Sequence, residues 1–214
     1  MMKIAVLISG RGSNMQALLE ACKSDSFPAE IVLVLSNKAD AKGLITAKES
    51  NIPTAFINPK NFDNRENFDA ALSELIVESE ADFVCLAGYM RLLSDEFVRT
   101  WRDKLVNIHP SLLPLFKGLH VHEQALESGA RFSGCTVHFV RPAMDEGPII
   151  AQAVVPILPG DTADILATRI LAQEHILYPL AIKLIAEGRV RVTAERVIIN
   201  DHQLPIGTLL NPEG

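Results

Sequence analysis

Two polar side chains at alternate positions stand out in the segment Asn-Ile-His-Pro-Ser-Leu-Leu-Pro at residues 107–114. In an extended chain, residues i and i+2 project from the same face, so Asn107 and His109 would lie side by side. Pro110 favours this conformation, because the residue before a proline is pushed towards the extended region. An amide beside a group that titrates near neutrality suits stabilisation of an oxyanion with coupled proton transfer. A polar strand end with a solvated histidine is the simpler explanation of the pair alone.

A carboxylate that orients the histidine and favours its charged form would strengthen the catalytic hypothesis. Asp145 and Glu146 are the candidates, because they lie in a short loop bracketed by Pro142 and by Gly147-Pro148. Such bracketing is typical of a loop with a defined shape. These residues alone do not decide between the two acids.

A glycine-rich loop, Ser9-Gly10-Arg11-Gly12-Ser13-Asn14, follows the first apolar run and precedes a plausible helix. Backbone N–H groups and the Ser13 hydroxyl could bind a phosphate at the helix N-terminus, although a simple tight turn is an equal alternative. The third glycine of a dinucleotide fingerprint is replaced by Met15, and Ser36-Asn37 stands where an acid is expected. We therefore predict a phosphomonoester and not a dinucleotide.

Apolar runs alternate with helical patterns along the first half of the chain, as in an α/β fold with a doubly wound, mainly parallel sheet. After His109 two longer strands, 132–140 and 148–157, predict antiparallel additions in the C-terminal third. A helix from about 163 to 187 with Asp161 and Thr162 at its start, and a strand-like tail at 191–199, would follow. The predicted parallel strands are 3–8, 31–35, 54–57, 83–87 and 105–108, with a helix over 65–79.

Three loops that are distant in sequence are expected at one edge of this sheet. The glycine loop follows the first strand, Gly88-Tyr89-Met90-Arg91 follows the fourth, and His109 ends the fifth. Ligands of doubly wound sheets bind beyond the carboxyl ends of the strands. Tyr89 and Met90 could form an apolar wall and Arg91 could bind a carboxylate. This convergence favours the catalytic hypothesis for the Asn107 and His109 pair.

Composition limits the partners. The chain has 214 residues with 48% hydrophobic content and a formal net charge of −6, which predicts one domain (1–214) and argues against nucleic acid as a partner. The apolar runs are too short to span a membrane, and the N-terminus is typical of a buried strand and not of a signal peptide, so we expect a cytoplasmic location.

Metal binding and disulfides are not favoured. His120 and His122 form an H-x-H pair, but no acid or cysteine at a familiar metal spacing accompanies them. The three cysteines are odd in number, far apart and without a C-x-x-C motif. We expect no metal cofactor.

Several of these motifs, taken together, resemble the glycinamide ribonucleotide formyltransferase family of purine biosynthesis. The resemblance runs in order from Lys3 to about Ile185, and its motifs are the glycine loop, Ala-Gly-Tyr-Met-Arg at 87–91, the 107–114 segment, Lys-Gly-Leu-His at 117–120, Met-Asp-Glu-Gly-Pro at 144–148 and Gln-Glu-His at 173–175. The family transfers a formyl group from the cosubstrate 10-formyltetrahydrofolate to the amine of 5-phosphoribosylglycinamide. Lys117 departs from the pattern, since many relatives have proline there.

The resemblance implies a role for each matching residue. Asn107 and protonated His109 would stabilise the oxyanion, and Asp145, selected over Glu146 by the motif, would support His109. Substrate would be bound by Gly12, Ser13, Asn14, Leu171, Ala172, Gln173 and Glu174. The folate would be bound by Arg65, Met90, Arg91, Leu92, Leu93, Asn107, Arg141, Pro142, Ala143, Met144 and Asp145. Within the single domain, the resemblance implies a phosphate-binding half over 1–108, a folate-binding and catalytic half over 109–190, and a tail over 191–214.

Three alternatives share part of this pattern. A methionyl-tRNA formyltransferase would carry a further basic domain for RNA. A formyltetrahydrofolate deformylase would use the same catalytic residues with water as the acceptor and would be expected to have an extra N-terminal domain. A nicotinamide oxidoreductase or other nucleotide-binding module needs only the first loop, but the incomplete glycine fingerprint argues against it. The sequence is compatible with a monomer or a homodimer.

Overall fold

The structure is a computed structural model that describes residues 1–201 and 207–212. The strands are β1 Met2–Ile8, β2 Ala29–Ser36, β3 Thr54–Phe56, β4 Phe83–Leu86, β5 Leu105–His109, β6 Phe132–Phe139, β7 Ile149–Pro156, β8 Val190–Thr193 and β9 Arg196–Ile199. The α-helices are α1 Ser13–Cys22, α2 Lys42–Glu49, α3 Arg65–Glu78, α4 Asp95–Thr100, α5 Val121–Glu127 and α6 Ala163–Ala186. None of these helices, in the part of the chain so described, is long and apolar enough to cross a membrane.

The first seven strands form one sheet in the order β3-β2-β1-β4-β5-β6-β7. The strands from β3 to β5 in this order pair in parallel, and β6 and β7 pair antiparallel. The strand order reverses beside β1, which has β2 on one side and β4 on the other. This switch point opens a crevice at the carboxyl ends of β1 and β4, where ligands of such sheets bind.

Helices cover both faces of the sheet because successive side chains of β1 point to opposite faces. Ile4, Val6 and Ile8 pack in the core formed with α1, α2, α5 and α6. Ala5 and Leu7 pack in the core formed with α3 and α4. Both faces of the central strands are therefore apolar, as a buried parallel sheet requires.

The long helix α6 is joined directly to the centre of the sheet. The hydroxyl of the fully buried Tyr178 donates to the carbonyl oxygen of Leu86 at 2.9 Å and lies 3.5 Å from that of Val106. These carbonyls belong to β4 and β5. The position of α6 is thus fixed relative to the two strands that precede the predicted folate and catalytic loops.

The structure confirms the predicted doubly wound, mainly parallel sheet with antiparallel additions, and each predicted element lies within two residues of its observed bounds up to α6. The predicted strand-like tail over 191–199 contains two strands and not one continuous strand. Val190–Thr193 and Arg196–Ile199 form a two-stranded antiparallel hairpin, because Ala194 and Glu195 both adopt left-handed conformations and reverse the chain. Of the predicted tail over 191–214, residues 202–206 and 213–214 lie outside the described residues.

The start of α6 is stabilised by a cap and an ion pair. The Thr162 hydroxyl accepts from the Ile165 N–H at 3.3 Å, which confirms the predicted N-cap. The Asp161 carboxylate accepts two hydrogen bonds from Arg169, at 2.7 and 2.8 Å, and one from the Leu158 N–H at 2.8 Å. The hydrogen bonds from Arg169 are the main reason that the pKa of Asp161 falls to about 2.

This ion pair predicts a specific pH dependence of stability. Above the unfolded pKa of Asp161 its contribution is fully present, and it is lost as the pH falls through the folded pKa of about 2. We expect Asp161→Asn to lower the free energy of unfolding by about 1 kcal/mol at pH 7, a value reduced for solvent screening. The free energy of unfolding of both proteins is measured by urea titration at pH 7 and near pH 2.

The exposed pair of Asp95 and Arg99 provides the control, since it makes a single contact at 3.2 Å. Asp95→Asn is expected to change stability less than Asp161→Asn does at pH 7. An equal loss in both variants, or a loss from Asp161→Asn that persists unchanged near pH 2, would contradict the assignment.

Candidate active site

The amide of Asn107 is oriented by a neutral histidine on the neighbouring strand. Asn107 of β5 pairs with His138 of β6, and its Nδ2 lies 3.3 Å from Nε2 of that ring. The other ring nitrogen, Nδ1, lies 2.9 Å from the Phe139 carbonyl oxygen. A carbonyl can only accept, so Nδ1 carries the proton and Nε2 accepts from Asn107. Burial lowers the pKa of His138 to about 4, which keeps the ring neutral at pH 7.

His109 ends β5 and faces the carboxylate of Asp145. Its side chain is buried, and Nε2 donates to the carbonyl oxygen of Phe116 at 2.9 Å. Nδ1 lies 3.7 Å from Oδ2 of Asp145, a distance suited to an ion pair but longer than a hydrogen bond. A protonated His109 would therefore be a cation held between a carbonyl and a carboxylate. This geometry suits proton transfer with a ligand that approaches Nδ1.

The two acids of the 141–147 loop have different partners. Asp145, in a left-handed conformation, accepts from the Gly118 N–H at 2.9 Å, and its second oxygen lies 3.9 Å from His138. Glu146 forms an ion pair with Lys117 at 2.7 Å. The structure thus places Asp145, and not Glu146, beside His109. Through this ion pair Lys117, which departs from the family pattern, joins the loop after β5 to the loop that carries Asp145.

Hydroxyl groups hold the loop that carries the Phe116 carbonyl. The Ser111 hydroxyl donates to this carbonyl, with the oxygen atoms 2.9 Å apart. Thr136 on β6 donates to the Ser111 carbonyl at 2.7 Å and accepts from the Leu113 N–H at 3.1 Å. Gln152 on β7 donates to Thr136 at 3.0 Å. The antiparallel strands therefore position the acceptor that orients His109.

Large apolar side chains are exposed around this centre. They are 53% to 71% exposed and come from the three loops that follow β4, β5 and β6: Met90, Leu92, Leu115, Leu119 and Met144. A concentration of exposed apolar surface of this kind is typical of a ligand site. Leu93 is half-buried beside them, and Pro142 and Ala143 are exposed on the loop after β6.

The three predicted folate-binding arginines differ in their surroundings. The Arg91 guanidinium lies 4.7 Å from the centre of the Phe68 ring. Arg65, at the start of α3, is exposed and lies 3.7 Å from Glu66. The Arg141 side chain is buried and bound by Asp103 and Glu195. Arg141 can therefore contribute to a ligand site through its backbone, whereas Arg65 and Arg91 remain candidates to bind a carboxylate.

The glycine loop brings a helix N-terminus to the switch point of the sheet. Gly12 has a left-handed φ of 74° immediately before α1, and a Cβ there would lie 3.0 Å from the Gly43 Cα and 3.2 Å from the Met15 side chain. Glycine satisfies both requirements. The first N–H groups of α1, starting at Ser13, favour an anion at this position.

Ser9 ties three loops together beside this N-terminus. Its hydroxyl donates to the Asn37 side chain at 2.6 Å and accepts from the Met90 N–H at 2.8 Å. The loops after β1, β2 and β4 therefore share one hydroxyl group. Asn37, which occupies the place of the acid in a dinucleotide site, has a structural role here.

Glu174 on α6 is joined by Asn14 to the first turn of α1. Both side chains are buried, and Asn14 Nδ2 donates to Glu174 Oε2 at 2.6 Å. Burial raises the pKa of Glu174 despite this hydrogen bond. Leu171 and Gln173, half-buried, and Ala172, exposed, precede it on the helix.

The structure does not bring His120 and His122 together into a metal centre. His120 Nδ1 lies 3.6 Å from Glu123, whereas the Nδ1 of His122 is buried. Within residues 1–201 and 207–212, no cluster of three or more His, Cys, Asp or Glu side chains is arranged to hold a metal ion.

The chain is similar to known proteins in both sequence and structure. Residues 2–182 match the formyl transferase family. The chain belongs to that family. It is 45% identical over 204 residues to the phosphoribosylglycinamide formyltransferase of Escherichia coli (strain K12), covering 95% of this chain and 96% of that one.

Two further relatives are similar to this chain, one in structure and one in sequence. The solved structure of glycinamide ribonucleotide transformylase 1 from Symbiobacterium toebii superposes with a TM-score of 0.92 at 48% identity, covering 94% of this chain and 95% of that one. The trifunctional purine biosynthetic protein adenosine-3 of Bos taurus is 50% identical over 190 residues, or 89% of this chain. The chain spans only 19% of the length of that protein.

Sequence reasoning missed several residues of this formyl transferase site. His138, Thr136 and the Phe116 carbonyl orient Asn107 and His109, and Ser9 joins the loops. The signal for His138 and Thr136 was present, because alternate residues of an antiparallel strand beside β5 must lie opposite Asn107 and His109. Using it required the register between β5 and β6, which the sequence leaves open.

Gly147 provides a test of how tightly the Asp145 loop is fixed. A Cβ at this position would lie 1.6 Å from the Phe139 carbonyl oxygen, so the backbone must shift. We expect Gly147→Ala to lower the free energy of unfolding by about 1–3 kcal/mol, measured by urea titration. Gly10→Ala is the control, since a Cβ at Gly10 meets nothing within 4 Å in the described chain. Equal stability of the two variants would refute the steric argument.

Proposed function

We propose that this chain transfers the formyl group of 10-formyltetrahydrofolate to the amine of 5-phosphoribosylglycinamide, a step of purine biosynthesis. The two relatives of similar length are named for this reaction. The observation that carries the proposal is the constellation of Asn107, His109 and Asp145, with Asn107 oriented by neutral His138. This set supplies an oxyanion donor and a proton-transfer pair without a metal ion.

The reaction begins when the amine nitrogen attacks the formyl carbon and the carbonyl oxygen takes up the electron pair as an oxyanion. His138 holds one N–H of Asn107, and the second N–H donates to the oxyanion. Protonated His109 donates from Nδ1, the nitrogen that faces Asp145. Hydrogen bonds aimed at a developing charge stabilise the transition state more than the ground state.

Proton transfers complete the reaction. The attacking amine becomes positively charged and loses a proton towards the Asp145 carboxylate. The bond between the formyl carbon and N10 of the folate then breaks, the oxyanion reforms a carbonyl, and N10 takes up the proton that the amine gave to Asp145.

The glycine loop provides the phosphate end of the amine substrate. Gly12, Ser13 and Asn14 bind the phosphate at the N-terminus of α1. Glu174, held by Asn14 at 2.6 Å, accepts hydrogen bonds from the ribose hydroxyls. Leu171, Ala172 and Gln173 line the same edge, with Leu171 and Ala172 contributing backbone atoms. This end belongs mainly to the half of the domain over 1–108.

The exposed apolar side chains provide the folate site. Met90, Leu92, Leu93 and the 141–145 loop, with Pro142, Ala143 and Met144, surround the pterin ring. Arg65 and Arg91 bind the glutamate carboxylates, because Arg is suited to bidentate carboxylate binding. Arg141 acts through its backbone. This end lies mainly in the half over 109–190.

Substitution of the proton-transfer pair tests the assignment. We expect His109→Ala and Asp145→Asn each to lower kcat for formyl transfer about 100-fold to 10,000-fold, the range for a positioned acid or base. His120→Ala is the matched control, since the His120 side chain is 78% exposed, and it is expected to retain wild-type kcat. The assay follows formylated amine and free formate separately, with circular dichroism as a check on folding.

The outcomes separate the competing functions. Wild-type turnover in a folded His109 or Asp145 variant would remove these residues from the mechanism. Release of formate without a formylated amine would show a deformylase, which uses the same three residues with water as the acceptor.

A further inference from the structure

The hairpin formed by β8 and β9 lies beyond residues 2–182 that match the formyl transferase family. Its turn, Ala194-Glu195, nevertheless reaches the first residue of the loop that carries Asp145. We call residues 141–147 the cosubstrate loop. The hairpin, a segment outside the family match, therefore contacts the cosubstrate loop.

The guanidinium of Arg141 is held on three sides. Nε donates to Glu195 at 2.6 Å, one terminal nitrogen donates to Asp103 at 2.6 Å, and the other donates to the Val140 carbonyl at 3.1 Å. The Arg141 side chain is only 8% exposed. An arginine with this many fixed, charge-assisted partners has a single orientation.

Glu195 itself is held between two arginines. One carboxylate oxygen accepts from Arg141 and the other from Arg102, which follows α4. The hydrogen bond from Arg141 is the main cause of a lowered pKa for Glu195. At neutral pH the hairpin therefore presents a charged carboxylate that links Arg141 to the body of the domain.

The remaining contacts of the cosubstrate loop explain why its first residue matters. Gly147 is pressed against the Phe139 carbonyl at the other end. Between the two ends, Asp145 accepts from the Gly118 N–H, and Glu146 pairs with Lys117. The loop is thus anchored at both ends and at its tip. Release of the Arg141 end would change the path of residues 142–144, which lead to Asp145.

We propose that Glu195 is a positioning residue that fixes the cosubstrate loop through Arg141 and thereby sets the affinity for the folate cosubstrate. This inference rests on the proposed function for the identity of the ligand. Glu195 touches no substrate. It acts by neutralising and orienting Arg141 together with Asp103, so that the backbone of the loop keeps one conformation.

The test compares Glu195→Gln with Glu187→Gln in the full chain. Glu187 makes a similar surface network, since it pairs with Lys183 and Arg189 at 3.8 and 3.2 Å, away from the cosubstrate loop. Hydrogen exchange of the backbone amides of residues 143–146, measured without ligand, should accelerate at least threefold in Glu195→Gln and stay unchanged in Glu187→Gln. The KM for 10-formyltetrahydrofolate should rise about three- to tenfold, with the KM for 5-phosphoribosylglycinamide and kcat within twofold of wild type.

Each other outcome overturns the proposal. Unchanged exchange in Glu195→Gln would show that Glu195 does not fix the loop. Faster exchange with an unchanged KM for 10-formyltetrahydrofolate would show that the loop conformation does not determine the affinity for the cosubstrate. Equal effects in both variants would show a general loss of stability. If wild-type protein transfers no formyl group, the proposed function fails, and the exchange comparison still decides whether Glu195 fixes the loop.

Discussion

The pairing register between β5 and β6 is the constraint on which the candidate site depends. It places His138 opposite Asn107 and Thr136 opposite His109, so each predicted catalytic side chain has its orienting partner on the next strand. A shift of one residue would turn every β6 side chain to the other face. His138 would then lie in the opposite core, and Asn107 would lose the acceptor that orients its amide. The antiparallel additions to the sheet are therefore part of the candidate site and not only an extension of the fold.

Burial and charge are balanced differently at the two histidines of this site. His138 is neutral because burial lowers its pKa and its two nitrogens have one acceptor and one donor as partners. His109 has a carbonyl oxygen 2.9 Å from Nε2 and a carboxylate oxygen 3.7 Å from Nδ1. The two buried imidazoles lie on neighbouring strands, and their different hydrogen-bond partners thus suit them to different roles. One histidine orients an amide, and the other can exchange a proton.

Much of the fold could be predicted from the sequence, because short apolar runs alternating with helical periodicity leave few arrangements other than a doubly wound sheet. The carboxyl ends of β1, β4 and β5 then had to meet, which placed Gly12, Met90 and His109 together. The sequence could not show that Arg141 is occupied by Asp103 and Glu195, since these contacts join residues far apart in the chain. It also missed the hairpin, because two left-handed residues, Ala194 and Glu195, made a turn without a glycine.

The hydroxyl of Tyr178 helps to set the distance between the two ends of the candidate site. Tyr178 fixes α6 against β4 and β5, and Glu174 lies one turn earlier on the same helix, joined to Asn14 at the start of α1. The N-terminus of α1 and the Asn107 centre are therefore held at a fixed separation by α6 and the sheet. Under the proposed assignment, the distance between these two points must match the distance between the phosphate and the amine of the substrate. A longer or shorter phosphorylated amine could bind at one point but would not reach the other, so selectivity would appear as lost turnover more than as lost binding.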